Sequence, residues 1–561
     1  MVRAFLSAFT HEVRGLHEAA YLLAAFALSS QLLGLIRDRL LAGTFGAGET
    51  LDGYYAAFRI PDVLFATVAS LLSLYALLPI LSRLEEENQG FAIAFLRRSL
   101  LLFFGGMAVV SGIAFLLAPV LIPFVAPGIA EGGGYDDLLL LTRMLLLQPI
   151  LLGASNVVAA LTQLRHRFFL YAISPLLYNL GIIGGIVFLY PVLGIAGLGW
   201  GVLLGALLHF LVQAGFFARE GISQEHLPPS RFWSSFGEVL WLSVPRTLSL
   251  AAGQISLLVL VALASLFAPG SIAVFMFAFN LQAVPLAIIG VSYSVAAFPT
   301  LARLFASGSN KDFLWHLEVA LRHIIFWTVP AMLLVIVLRA QLVRTILGSG
   351  AFDWDATRLT AAALALFVLS LSAQSITLLI ARAYYAAGKT ALPLRLGALS
   401  VVVSVGSALL FITLFHAHPL IRLFLESALR VSDIPGTTVL MLALGYATGA
   451  LVQAGAGLWY LRRDFGIALS GLRELGFQSF SAGMIGGAAA YGTLWVMGGV
   501  VDINTVFGIV SQGFVGGIVG LLVTGIVLML LKNAEFTEAV SAFRRRFVDT
   551  PPVVLEPTDV S

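Results

Sequence analysis

In a chain this apolar, the ionisable residues are the ones that could do chemistry. Only 11% of the 561 residues are Asp, Glu, Lys or Arg. Several of these interrupt otherwise uncharged stretches: Arg37, Asp38 and Arg39 close one apolar run, Asp52 opens the next, and Arg59 and Asp62 lie within it. A spacing of three residues puts Arg59 and Asp62 on one helical face, close enough to pair. Arg246 follows Pro245 at the start of a later run. A charge held within hydrocarbon is costly unless it is paired or hydrated, so each of these is a candidate site residue. A buried arginine offers charge to an anion, and a buried carboxylate can exchange a proton. Plainer readings stand beside these: an interfacial anchor for Arg37 to Arg39, a structural ion pair for Arg59 and Asp62, and snorkelling for Arg246.

The elements that must position these groups follow from composition. The chain is 59% hydrophobic with a mean hydropathy of +0.98, whereas soluble proteins carry about 25% charged residues. Most of the exterior therefore faces lipid, which excludes a cytosolic enzyme, a secreted domain and a disordered protein. With no cysteine there is no disulfide, thiolate metal site or cysteine nucleophile, and a net charge of +3 does not argue for nucleic acid.

Stretches free of Asp, Glu, Lys and Arg long enough for one span occur at 19–36, 63–82, 99–130, 144–164, 323–338, 359–381, 396–421, 434–461, 475–501 and 503–531. Two longer runs, 168–218 and 247–302, hold a pair each, with breaks expected at Tyr190-Pro191 and Ala268-Pro269-Gly270. The run 323–338 is short unless His323 and Arg339 snorkel. The expected fold is an all-α polytopic membrane protein with 14 transmembrane helices. Most of the 32 Lys and Arg fall on the N-terminal side of the membrane, which puts both termini in the cytoplasm. Residues 1–18 read as an interfacial amphipathic helix, and 533–561 as a disordered cytoplasmic tail.

Two stretches about 220 residues apart read alike. Leu77-Leu78-Pro79-Ile80-Leu81-Ser82-Arg83-Leu84 recurs as Ala297-Phe298-Pro299-Thr300-Leu301-Ala302-Arg303-Leu304, and Ala57-Phe58-Arg59-Ile60 answers Ala278-Phe279-Asn280-Leu281. A repeat of six spans keeps one orientation, giving two six-helix lobes, 19–218 and 236–461, plus two C-terminal helices in 475–531. Two similar lobes around a cavity are a transporter's layout, and prolines within spans permit bending.

Other motifs are weak. Ala387-Gly388-Lys389-Thr390 lacks the upstream glycine and strand of a phosphate loop, so ATP binding is rejected. His416 and His418 have no third ligand in reach, so no metal is expected. Asp136 and Asp137 read as helix caps, and the glycines at 181, 184, 185, 483, 486 and 487 as close helix packing. No nucleophile–base pattern points to an enzyme, and no cofactor is implied.

The stretch from Ser30-Gln31-Leu32-Leu33-Gly34 through Arg37-Asp38, then Phe45-Gly46-Ala47-Gly48, Asp52, Ala57-Phe58-Arg59-Ile60-Pro61 and Pro79, resembles the start of the MurJ (MviN) lipid II flippase family. Later blocks, including Pro299 to Leu304 and Ala381-Arg382-Ala383-Tyr384-Tyr385-Ala386, are similar to it too. The resemblance implies the wider superfamily of multidrug and oligosaccharide-lipid exporters. It also implies alternating access that moves a polyprenyl-pyrophosphate-linked sugar outward, and a tail groove on the last two helices. Family arginines on helices 1, 2 and 8 suit a pyrophosphate because guanidinium forks bind phosphate bidentately. Here those positions hold Gln31, Phe65 and Asn280, while Arg37, Asp38 and Asp52 are kept and Arg59 stands where a lysine is usual.

The reading reached is a flippase for a lipid-linked cell-wall precursor in the bacterial cytoplasmic membrane, working as a monomer among membrane lipids. Arg37, Arg59, Arg246, Gln31 and Asn280 would bind the headgroup in a positively charged vestibule, and Asp38, Asp52 and Asp62 would orient arginines or gate the outer side. The rivals are a cation-coupled drug exporter of the same superfamily, with Asp62 exchanging protons, and a non-transporting scaffold.

Overall fold

The computed structural model describes residues 16–220, 227–467, 470–502 and 505–547. The expected helix over 1–18 lies almost wholly outside them. Every regular element among the described residues is helical. The longer ones, in chain order, are α1 (Leu16–Phe45), α2 (Glu49–Ala57), α3 (Arg59–Thr67), α4 (Leu74–Glu87), α5 (Gln89–Val125), α6 (Tyr135–Leu145), α7 (Gln148–Leu164), α8 (Phe168–Gly184), α9 (Ile195–Glu220), α10 (Pro229–Ala264) and α11 (Ser271–Pro285). They continue as α12 (Ser292–Ala306), α13 (Asn310–Leu347), α14 (Trp354–Val368), α15 (Leu371–Ala386), α16 (Ala391–Ala417), α17 (Pro419–Leu429), α18 (Leu440–Phe465), α19 (Ser470–Gly498), α20 (Val506–Leu530) and α21 (Ala534–Phe547). Ten helices or continuous helical runs among the described residues are long and apolar enough to span a bilayer, or up to 12 if each of two bent pairs counts as one span. α1 and α19, with 30 and 29 residues, also have the length.

The chain forms two compact units. The first comprises Met1–Val284, Val343–Ser370 and Gly388–Ala456, and the second Pro285–Leu342, Leu371–Ala387 and Gly457–Ser561. In the first unit, Leu77, Leu81, Phe95, Leu96, Val157 and Leu161 are fully buried in a core shared by α4, α5, α7 and the start of α10. There α8 and α9 cross so closely that a Cβ on Gly181 or Gly185 would overlap the backbone of Gly205 or Gly201. Gly184, expected in the same contact, has nothing within 4 Å of such a Cβ. In the second unit, α19 packs on α20 through Gly486, which abuts Thr524 and Gly520, while Gly483 faces Pro330 and Leu333 of α13.

Three expectations change. The break in 168–218 falls at Gly194, which adopts the left-handed φ of +58°. Pro191 instead lies within the continuous helical run Phe168–Leu193, directly after the π-helical segment Gly185–Leu189, so the helix passes through it. The short run 323–338 lies inside the 38-residue α13, so its length needs no snorkelling. The tail is helical over Ala534–Phe547. Asn533 caps it through Phe536 N–H at 2.9 Å, Glu535 pairs with Arg322, and Phe536 packs on Gly525 of α20.

Candidate functional site

The first unit holds the charged candidates on α1, α2, α3 and α10, with neutral partners from α8 and α11. Arg37 directs Nε and Nη2 at Asp38 Oδ1, at 3.0 and 2.8 Å, and its Nη1 at Asn179 Oδ1, at 3.2 Å. The other oxygen of Asp38 accepts from Asn280 Nδ2 at 3.1 Å. Asn179 itself donates toward Ser30 Oγ at 3.3 Å and Pro175 O at 3.2 Å. Asp38 is 3% exposed, so its burial depends on these partners.

Arg59, the first residue of α3, is 5% exposed. Its Nε donates to Tyr55 O at 3.2 Å and its Nη2 meets Asp62 Oδ2 at 3.1 Å, as their spacing predicts. Around these pairs stand Tyr54, Tyr55 and Tyr178. Tyr178 lies within electrostatic reach of Asp62 and Arg37 and accepts from Gln148 Nε2 at 3.1 Å. Three buried polar atoms here, Arg59 Nη1, Tyr55 Oη and Gln148 Oε1, have no hydrogen-bond partner among the described residues. Each is a group that a polar ligand would satisfy.

The arrangement differs from a positively charged vestibule. Each arginine carries its own carboxylate, so Arg37, Asp38, Arg59 and Asp62 sum to zero. The cluster is not sealed, because the side chains of Arg37 and Asp62 stay 22% and 27% exposed.

Asp52 is placed on backbone rather than on an arginine. Its two oxygens accept from Gly270 N and Ala273 N, both at 2.7 Å, capping the start of α11. Gly270 holds φ +88° with Ala47 O against it, leaving no room for a side chain. Nearby, Arg39 donates to Thr345 O at 2.7 Å and Gly43 O accepts from Ala351 N at 2.8 Å. The ends of α1 and α2 are thus tied to segments far along the chain.

Arg246 is half-buried on α10, just before Thr247, which bonds Ser70 at 2.8 Å. Gln31 is exposed about two turns before Asp38 on α1. Phe65 packs against the core of the first unit. Sequence reasoning missed Asn179, Tyr55, Tyr178 and Gln148, because neutral polar residues leave little mark in a hydropathy pattern.

In the second unit, Ile289, Phe326, Trp327, Pro330, Leu521 and Phe536 help to line a cavity of about 480 Å³. Its walls belong mostly to α13, α20 and α21, and are almost wholly apolar.

Among the described residues, long apolar helices with ion pairs set between them define a polytopic α-helical membrane protein, and solved structures carry the same fold. Lipid II flippase MurJ in an inward-closed conformation aligns with a TM-score of 0.68 at 21% identity, covering 91% of this chain and 100% of that one. An inward-facing MATE family multidrug resistance transporter of the MOP superfamily aligns at 0.64 and 16%, covering 78% and 94%. The family model for lipid II flippase MurJ matches residues 41–511, and the chain belongs to that family. Among curated relatives, lipid II flippase MurJ of Burkholderia cenocepacia is 26% identical over 86% of this chain and 98% of its own length. A probable lipid II flippase MurJ of Rhizobium tropici is 29% identical over 68% and 73%.

Proposed function

We propose that this protein moves a polyprenyl-pyrophosphate-linked cell-wall precursor of the lipid II type from the inner to the outer leaflet of a bacterial cytoplasmic membrane by alternating access. Family membership supports the reaction. The observation that carries the site is the pair of ion pairs, Arg37–Asp38 on α1 and Arg59–Asp62 on α3, with Arg59 Nη1 and Tyr55 Oη unsatisfied among the described residues. With no net charge, the cluster would grip an anionic headgroup by exchange: phosphate oxygens take over guanidinium donors now held by Asp38 and Asp62. Arg246, Gln31 and Asn280 would complete the headgroup contacts, and Asp52, by capping α11, would hold the outer side shut until the substrate is bound. The apolar cavity beside α20 suits the polyprenyl tail.

In this reading both termini are cytoplasmic and the protein is a monomer. Counting α1 and α19 brings the spans to 14, as lobes 19–218 and 236–461, helices 475–531 and a tail 533–561. Membrane potential, at about 2.3 kcal/mol per charge per 100 mV, would help to reset the cycle. The rival drug-exporter reading draws on the MATE-like fold and the partly exposed Asp62. Complementation decides between them: cells depleted of their own flippase survive on this gene if the proposal holds. Lysis despite normal membrane expression, together with pH-driven dye efflux, would establish the exporter instead; lysis without efflux would leave the scaffold reading.

A further inference from the structure

The end of the first unit where α5 and α10 begin holds several arginines, and most have a carboxylate of their own. Arg83 meets Glu238 at 2.5 Å, Arg165 pairs with Glu85, and Arg231 pairs with Glu87. Arg97 is exposed to water. Arg98 differs. It is half-buried, and among the described residues no carboxylate comes within ion-pairing distance of it. Its Nη1 donates to Leu227 O at 2.9 Å and its guanidinium lies 5.8 Å from the centre of the Phe232 ring. Among the described residues, one carbonyl and one ring hold the cation, and neither cancels its charge.

The surroundings say what would cancel it. Arg98 is the last charge before the apolar run at 99–130, so it lies where headgroups give way to acyl chains. It borders a pocket of about 310 Å³ whose other walls are Leu101, Leu102, Pro229, Phe232 and Trp233. Leu101 and Trp233 are 64% and 58% exposed, so the pocket opens toward lipid. The volume equals roughly ten water molecules of liquid, enough for a glycerophosphate and the first carbons of one chain. An indole at this depth sits among headgroups, as interfacial tryptophans do.

We propose that this pocket binds one anionic glycerophospholipid, its phosphate on Arg98 and the head of an acyl chain between Leu102 and Trp233. A zwitterionic lipid brings its own cation to the phosphate and leaves Arg98 less fully compensated, so the site selects for net negative charge. The site is separate from the Arg37 and Arg59 pairs and bears on stability rather than on the transported substrate.

Native mass spectrometry of the full chain in detergent, titrated with phosphatidylglycerol or phosphatidylcholine, tests the proposal, with melting temperature as a second readout. Phosphatidylglycerol is expected to bind at least tenfold more tightly than phosphatidylcholine and to raise the melting temperature, while glycerol phosphate without acyl chains does neither. Arg98→Gln is expected to erase the preference, Arg98→Lys to keep part of it, and Arg97→Gln to leave it whole. Should Arg98→Gln fold poorly, Leu102→Trp blocks the pocket without touching the charge and is expected to lower phosphatidylglycerol binding. Equal binding of the two lipids by the wild type, an unchanged preference in a folded Arg98→Gln, or unchanged phosphatidylglycerol binding in Leu102→Trp overturns the proposal.

Discussion

Asn280 donates to Asp38 across 242 positions of sequence, at 3.1 Å, and in doing so ties α11 to α1 beside the Arg37 ion pair. Where the family resemblance implies an arginine, this chain holds a neutral amide. The carboxylate keeps its hydrogen bond and the cluster loses a positive charge. Asn280→Ala removes a hydrogen bond to a charged, buried group and is expected to cost about 1.5–3 kcal/mol of stability. Asn280→Arg is expected to leave the fold intact and tighten headgroup binding several-fold, an effect that weakens as salt rises. Thermal melting and lipid II binding measured on the purified variants check both.

The Arg59–Asp62 pair separates stability from transport. Arg59→Ala leaves the partly exposed Asp62 carboxylate uncompensated, at a cost below the roughly 3–5 kcal/mol of a fully buried charge, so the variant is expected to melt early as well as to lose transport. Arg59→Ala combined with Asp62→Asn removes both charges and is expected to recover most of the melting temperature while transport stays absent. Recovery of transport in that double variant would show that Arg59 is structural only.

Asp52 is expected to act as a latch. Asp52→Ala leaves Gly270 N and Ala273 N without their acceptor and should loosen the start of α11. The chain has no cysteine, so a single Ser271→Cys gives a background-free probe. Labelling by a membrane-impermeant maleimide is expected to rise several-fold when Asp52→Ala is added. Equal labelling would mean that the cap does not hold this region closed.

Much of this was legible in the sequence because a bilayer imposes length and polarity on each helix. Arg59 and Asp62 declared their pairing by spacing alone, and Gly270 marked its break. Gly194 was hidden behind the louder Tyr190-Pro191, since the helix runs on through the proline after a π-helical turn and a left-handed glycine is the true stop. The helix α21 did carry a signal, with Phe536 and Val540 one turn apart. Its charges masked it, and only Asn533 and Arg322 show why it is ordered. Asn179 could not be read at all. It is an uncharged residue 142 positions from Arg37, and only folding brings them together.

The crossing of α8 and α9 is expected to tolerate no side chain at its centre. Gly181→Leu must displace the backbone of Gly205 and should cost about 2 kcal/mol or more, whereas Gly184→Leu, three residues on with open space, should be close to neutral. Expression level and melting temperature in detergent distinguish the two.

On the aqueous side, the Arg358 guanidinium forks onto Asp433 at 2.7 and 2.5 Å and holds that carboxyl below its ordinary range. Because the folded value is the lower one, the stabilisation is complete above about pH 4 and fades as pH falls through the folded value. Melting temperature is therefore expected to respond equally to Asp433→Asn at pH 5 and pH 8. A difference between those two pH values would contradict the assignment.

Charges paired inside the membrane are expected to hand an anionic, lipid-linked headgroup from one leaflet to the other. Reconstitution into liposomes carrying a fluorescent lipid II, with quenching from outside to count what has crossed, tests it most directly. The wild type is expected to equilibrate the lipid well above empty liposomes, and a variant combining Arg37→Ala, Asp38→Asn, Arg59→Ala and Asp62→Asn is expected to fold but not to move it. Flipping by that charge-free variant at the wild-type rate, or none by the wild type, would rule out this role for the paired charges.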